Sequence, residues 1–181
     1  GLAIVHGIVK SYGGGVRVSS ELGKGTTVEV YIPRVESPKE HLTAEQREPL
    51  PLGGHEKILF VDDEADIADI ARGMLGHLGY EVEVRTSSIE AREMFLANPD
   101  RFDLVITDMT MPNMTGDRLA QEILGIRPGI PIILCTGFSE RITEEKAKAM
   151  GIWEVVMKPL VTKDLAVAIR RALDRKKKKK G

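Results

Sequence analysis

From Glu56 to Leu173 the sequence alternates between short apolar runs and stretches of helical spacing, and no other feature restricts the fold as much. Lys57-Ile58-Leu59-Phe60-Val61, Tyr80 to Val84, Leu104 to Thr107, Pro131 to Cys135 and Trp153 to Met157 read as strands. An unbroken run such as Leu104-Val105-Ile106 suits a strand buried on both faces. Between the runs, Ile67, Ile70, Ala71, Met74, Leu75 and Leu78 follow one helix face up to Gly79. Ser87 to Ala97 opens on a good cap. Asp117 to Leu124, Glu140 to Met150 and Thr162 to Leu173 complete the helices. Five strand–helix units in about 120 residues predict an α/β domain, with a doubly wound five-stranded parallel sheet and helices on both faces.

The strand ends carry the chemistry. The first delivers Asp62 and Asp63, the third Asp108, the fourth Thr136, and the fifth Lys158 followed by Pro159. In a parallel sheet these ends share one edge, where open α/β sheets place their ligands. Crowded carboxylates repel by about 4 kcal/mol for a pair about 4 Å apart at an effective dielectric near 20. A raised pKa, a cation or a lysine has to neutralise them. Hard oxygen ligands with room for waters suit Mg²⁺, and Lys158 adds a further positive charge.

Such an edge suits phosphoryl transfer to a carboxylate. Asp108 is placed to act as nucleophile and form an acyl phosphate. Asp63 and Asp108 would hold Mg²⁺ together with a backbone carbonyl near Thr110, while Asp62 bonds a metal-bound water. Lys158 and the Thr136 hydroxyl would share the transition-state charge on the equatorial oxygens. Each residue alone has an ordinary reading: a capping aspartate, a solvated lysine, a turn threonine. The agreement of separate strand ends carries the reading.

The motifs Val61-Asp62-Asp63-Glu64, Thr107-Asp108-Met109-Thr110-Met111-Pro112-Asn113-Met114-Thr115-Gly116, Thr136-Gly137 and Met157-Lys158-Pro159 resemble, in order and spacing, the receiver domain of two-component response regulators. The resemblance covers residues 56–175 and implies a flavodoxin-like fold. It also implies acceptance of phosphate from the phosphohistidine of a sensor kinase or histidine phosphotransfer domain, slow hydrolysis, and signalling through the face around the fourth helix and fifth strand. One position departs from the pattern. Receivers usually carry Tyr or Phe three residues before the lysine, and here Val155 stands there, with Trp153 not placed to substitute. Phe138, two residues beyond Thr136, is a candidate for controlling water access to the phosphate.

Residues 1–33 follow another pattern. Leu2, Ile4, Val5, Ile8 and Val9 give a helix an apolar face that stops before Gly13-Gly14-Gly15. Val16 to Ser20 and Thr27 to Ile32 alternate as half-buried strands joined by a hairpin loop. So few residues cannot bury an independent core. The segment is expected to be the end of a larger domain. Gly1-Leu2-Ala3-Ile4-Val5, Gly13-Gly14 and Ser20-Glu21-Leu22-Gly23-Lys24-Gly25-Thr26-Thr27, leading into Tyr31-Ile32-Pro33, resemble the carboxyl end of the ATP-binding domain of sensor histidine kinases. This implies an incomplete α+β ATPase-domain fragment without that family's asparagine-bearing and aspartate-bearing motifs, so no cofactor-binding residues are assigned. Gly23-Lys24-Gly25-Thr26 lacks the order of a P-loop. None of His6, His41, His55 or His77 has a phosphodonor context.

Residues 34–55 read as a linker, punctuated by Pro38, Pro49, Pro51 and Gly53-Gly54, with a brief helical turn near Ala44 to Arg47. Cys135 is the only cysteine, which excludes an intrachain disulfide and leads to the expectation of a cytoplasmic setting. It lies in an apolar run and reads as an inert thiol. No apolar run reaches membrane-spanning length, so no membrane contact is expected of this segment. The net charge of −1 conceals an asymmetry: residues 170–181 carry +7 and the remainder −8. Residues 176–181 are expected to form a frayed, solvated basic tail, and no nucleic-acid partner is assigned.

In sequence order, the two resemblances imply the carboxyl part of a hybrid sensor histidine kinase. A docking or autoinhibitory module with little dependence on phosphate is the alternative, and Val155 leaves it open. A Mg²⁺-dependent phosphohydrolase ranks last, because Thr110 stands where that class usually has a second aspartate.

Overall fold

The computed structural model describes residues 2–33, 53–137, 142 and 144–180. The chain divides into two compact units, residues 1–47 and 48–181.

The first unit contains α1 (Leu2–Ser11), β1 (Gly15–Glu21) and β2 (Gly25–Tyr31). The strands form an antiparallel hairpin whose register runs from Gly15 opposite Tyr31 to Glu21 opposite Gly25. Val16 pairs with Val30 and Val18 with Val28, as the alternation predicts, and Ser20 hydrogen-bonds Thr26 at 2.9 Å. In this unit Val9 is buried, whereas Val18, Val28 and Val30 stay roughly half exposed.

The second unit contains β3 (Lys57–Val61), α2 (Ala65–His77), β4 (Glu81–Arg85), α3 (Ser88–Ala97), β5 (Leu104–Asp108), α4 (Gly116–Ile126), β6 (Ile132–Thr136), α5 (Glu144–Ala149), β7 (Glu154–Met157) and α6 (Thr162–Lys180). The five strands are all parallel, in the order β4-β3-β5-β6-β7. This is the flavodoxin-like order of a doubly wound sheet, and its direction of winding reverses between β3 and β5.

The period of two in the strands sorts side chains into two layers. Ile58, Phe60, Leu104, Ile106, Ile133, Cys135 and Val156 pack against α2 and α6, through Ala68, Ala71, Leu75, Leu165, Ile169 and Leu173. Leu59, Val61, Val105, Ile132 and Leu134 pack on the other face against α3, α4 and α5, through Ala91, Phe95, Leu119, Ile123 and Ala147. The central strands are therefore apolar throughout, as a strand covered on both sides has to be.

Local signals set the helix ends. Ser87 caps α3 by accepting from the Glu90 N–H at 3.3 Å. Gly79 ends α2 at φ 90°, a backbone angle that a β-carbon disfavours. Several expected bounds shift, as at β6, which is Ile132–Thr136 rather than Pro131–Cys135, and β7, which starts at Glu154 rather than Trp153. The strand read from Tyr80 to Val84 is Glu81–Arg85, with Tyr80 buried ahead of it. The helix Asp117–Leu124 extends to Gly116–Ile126. The last helix does not stop at Leu173 with a frayed tail beyond but continues through the lysine run to Lys180. Lysine is a good helix former, and cations suit the negative end of the helix dipole.

Of the helix read from Glu140 to Met150, Glu144–Ala149 is helical, Met150 is a turn, and residues 140, 141 and 143 lie outside the described residues. Phe138 and most of the linker, including its turn near Ala44 to Arg47, lie outside the described residues.

Candidate functional site

The sheet's alternation, carried one step past three strands, assembles the site. Phe60, Ile106 and Val156 face the α2–α6 layer, and the next residues on that face are Asp62, Asp108 and Lys158. Asp62 follows β3 and Asp108 ends β5, so the two carboxylates flank the point where the winding reverses. Lys158 arrives from β7 beyond its neighbour β6, its N–H held by the Thr136 carbonyl at 2.8 Å. The Lys158–Pro159 peptide is cis.

Asp62 is fully buried and Asp108 is 5% exposed. The Lys158 ammonium bridges them, 2.7 Å from Asp108 Oδ1 and 2.9 Å from Asp62 Oδ2. Glu64 Oε1 lies 3.9 Å from the same nitrogen, a neighbour to which the strand-end pattern does not point. Each aspartate also accepts a backbone N–H two residues on: Glu64 N–H on Asp62 Oδ1 at 3.1 Å and Thr110 N–H on Asp108 Oδ2 at 2.9 Å. Burial pushes the Asp62 carboxyl above its ordinary range, against the pull of Lys158 and the Glu64 amide. On Lys158 burial opposes the charge, but Asp108 and then Asp62 outweigh it and hold the ammonium above the usual lysine value. Two buried carboxylates sharing one cation is the neutralisation that their crowding requires.

The remaining sequence-derived residues occupy separate places. Asp63 is exposed next to Asp62, and Thr110 is exposed in the loop after Asp108. Thr136 is buried at the end of β6, its hydroxyl 3.3 Å from the Gly137 carbonyl. Among the described residues no group of three His, Cys, Asp or Glu side chains is gathered closely enough to hold a metal. The donor chemistry nevertheless suits a hard cation. Asp62 Oδ2 is buried with no hydrogen bond beyond its ion pair with Lys158, and Asp63 stands exposed beside it in the chain.

Val155 packs among the aliphatic side chains of the α3–α5 layer, whereas Trp153, which precedes β7, packs against the α2–α6 layer. Cys135 lies opposite Asp108 in the β5–β6 register. Burial first, and then the Asp108 charge, push its thiol up to about 12, which leaves it inert. Two residues behind the site escape sequence reasoning. The Thr107 hydroxyl donates to the Asp108 carbonyl at 3.1 Å, and Gly116 lies against that same carbonyl. Their sequence signals are a hydroxyl within a buried run and a glycine opening a helix.

The model of the response regulator receiver domain family matches residues 58–170. The chain is 29% identical to the sensor kinase CckA of Brucella abortus, an alignment covering 97% of this chain and 19% of that protein. It is 30% identical to the aerobic respiration control sensor protein ArcB of Escherichia coli, over 96% of this chain and 22% of that one. The chain thus spans about a fifth of the length of these curated relatives. A solved receiver domain protein from Clostridium thermocellum superposes with a TM-score of 0.64 at 37% identity, covering 67% of this chain and 97% of that one. With its parallel sheet order, its paired aspartates bridged by Lys158 and the matched span, this chain belongs to the response regulator receiver domain family of two-component signalling.

Proposed function

We propose that Asp108 is the phosphoacceptor of a phosphorelay, receiving its phosphoryl group from the phosphohistidine of a sensor kinase or a histidine phosphotransfer domain. The observation that carries this reading is the Lys158 ammonium shared between Asp108 and Asp62 at the edge where the winding reverses. In the transfer, a carboxylate oxygen of Asp108 bonds to phosphorus while the phosphorus–nitrogen bond breaks and its electron pair stays with the imidazole. The Thr110 amide holds Oδ2, which leaves Oδ1 as the oxygen that Lys158 must release. Lys158 then follows the charge onto the phosphoryl oxygens, and the Thr136 hydroxyl is the second donor available to them. Slow attack of water on phosphorus restores the carboxylate. Asp63, Asp108, the Thr110 carbonyl and, through a water, Asp62 would hold Mg²⁺. When bound, Mg²⁺ supplies positive charge that offsets the charge building on the transferring group.

We read residues 1–33 as the end of a histidine kinase ATP-binding domain and the whole chain as a carboxyl part of a hybrid sensor kinase, working in the cytoplasm. Two observations support this. The alignments with sensor kinases extend over nearly the whole chain, whereas the solved receiver covers two thirds of it. The hairpin also leaves Val18, Val28 and Val30 about half exposed, and a two-stranded hairpin does not stand as a domain of its own.

The test is incubation with acetyl phosphate and Mg²⁺, followed by intact mass. One added phosphoryl group is expected on the wild type and none on Asp108→Asn or with EDTA. An unmodified wild type, with a phosphorylated kinase also failing as donor, would overturn the reading. That result would favour a docking or autoinhibitory module, the second reading. Val155, an aliphatic residue packed where the family usually has an aromatic, is the observation in its favour.

A further inference from the structure

We infer that Thr107 is a positioning residue for the acceptor carboxylate, acting through its hydroxyl on the main chain of Asp108; this rests on the reading of Asp108 as phosphoacceptor. Thr107 is fully buried and shares its face of β5 with Val105, in a layer otherwise made of Val61, Leu134, Leu119 and their aliphatic neighbours. A hydroxyl left unbonded in such a layer is unfavourable, and valine has the same shape without that cost. The Thr107 hydroxyl meets this demand by donating to the Asp108 carbonyl oxygen at 3.1 Å.

The same carbonyl is confined from another side. Gly116, the first residue of α4, lies so close that a β-carbon there would overlap the Asp108 carbonyl oxygen. The Gly116 N–H donates to the Met109 carbonyl at 2.9 Å, and the Met109 N–H to the Cys135 carbonyl at 2.8 Å. The peptide plane between Asp108 and Met109 is therefore fixed by a hydroxyl, a close backbone approach and a strand hydrogen bond.

That plane leads directly to the Thr110 N–H, which holds Asp108 Oδ2 at 2.9 Å. If the plane rotates, the amide moves, and the carboxylate turns relative to the Lys158 ammonium. In-line attack depends on that orientation: a misplacement of about 1 Å can lower a rate by about 100-fold. Thr107 touches neither the phosphoryl donor nor the reacting oxygen. It acts through the loop.

The experiment follows phosphoprotein formation by intact mass over a range of acetyl phosphate concentrations with Mg²⁺, in the full chain. The wild type is compared with Asp108→Asn, Thr107→Val, Thr107→Ser and Thr107→Ala, each with its thermal melting curve. Thr107→Val is expected to lower the maximal rate by about tenfold while the half-saturating donor concentration and the melting temperature hold. Thr107→Ser, which keeps the hydroxyl, is expected to restore the wild-type rate. A purely structural role would move the melting temperature and leave the rate of the folded protein unchanged. Equal rates in Thr107→Val and wild type, or a Thr107→Ser as slow as Thr107→Val, would overturn the inference. If Thr107→Val does not fold, the pair Thr107→Ser and Thr107→Ala decides: a fast serine and a slow alanine support the role, and equal rates remove it. A wild type that takes no phosphoryl group from acetyl phosphate or from a phosphorylated kinase removes the acceptor reading and the positioning role together. A modified wild type matched by Thr107→Val removes only the latter.

Discussion

Lys158 Nζ lies 2.7 Å from Asp108 Oδ1 and 2.9 Å from Asp62 Oδ2, and one ammonium offsets part of the charge of a mutually repelling buried pair. Folding raises the lysine above its ordinary value of 10.5. The stability it contributes is therefore complete below 10.5 and lost only as pH rises through the higher folded value. Lys158→Met would leave Asp62 and Asp108 facing each other without a cation. The variant is expected to be less stable by about 2 kcal/mol at pH 7, measured by urea denaturation. The deficit should shrink on acidification, because Asp62, its carboxyl already raised by burial, then takes up a proton. A variant as stable as the wild type at neutral pH would show that the lysine does not balance the pair.

Asp62 has the same direction of pH dependence but the opposite effect at neutral pH. Folding raises its carboxyl above 3.8, mainly through burial. Its favourable contribution is thus present below 3.8 and disappears as pH rises through the folded value. At neutral pH the protein carries the cost of a buried charge that asparagine would not impose. Asp62→Asn without divalent cation is expected to be about 1 kcal/mol more stable than wild type at pH 7. The advantage should fade as the pH drops toward 4. Urea midpoints at several pH values test this, and a destabilised variant at pH 7 would contradict it.

The sheet is legible because its signal is local: Ile58 to Val61 and Leu104 to Ile106 have no polar alternation, and only a strand covered on both faces accommodates that. Asp62, Asp108 and Lys158 are legible as a set because parallel strands bring their carboxyl ends to one edge. What stays hidden is non-local or lies in the backbone. Nothing in the sequence pairs Glu56 with Arg170, yet their side chains meet at 2.8 Å while the Arg170 guanidinium stacks on Tyr80. Glu64 comes within reach of Lys158 only once β7 takes its place in the same parallel sheet as β3. Thr107 looks like any β-branched strand residue until the fold sets its hydroxyl against the Asp108 carbonyl. The extension of α6 to Lys180 is hidden because a run of like charges suggests repulsion, while lysine's helix propensity and the dipole at the helix end act the other way.

The two units should differ sharply in protection. β1 and β2 form a two-stranded hairpin in which Val18, Val28 and Val30 are about half exposed, and such hairpins are marginal in water without a further strand or a well-packed helix. β3, β5 and β6 are paired on both edges and buried on both faces. Hydrogen exchange of the full chain, read by mass spectrometry after peptic digestion, is expected to show rapid exchange across residues 15–31. Residues 58–61, 104–108 and 132–136 should exchange only through global unfolding. Equal protection of the hairpin and the central strands would mean that the first unit is covered by more than its own helix.

Gly116 sets how closely α4 can approach the strand that carries Asp108. A β-carbon at this position would overlap the Asp108 carbonyl oxygen and lie 3.1 Å from Leu134 Cδ1. The backbone oxygen cannot retreat without breaking the Thr107 hydroxyl contact, and Leu134 is fully buried. Gly116→Ala should therefore push the start of α4 outward, although alanine is otherwise the better helix former. The expected cost is about 1–3 kcal/mol, the range for overpacking a close contact, measured as a lower urea midpoint with unchanged slope. Gly125, on the same helix, is the control, because a β-carbon there would have no neighbour within 4 Å. Gly125→Ala should stabilise by a few tenths of a kcal/mol up to about 1 kcal/mol. If both substitutions stabilise the protein, the close approach at Gly116 does not constrain α4, and the confinement of the Asp108 carbonyl rests on Thr107 alone.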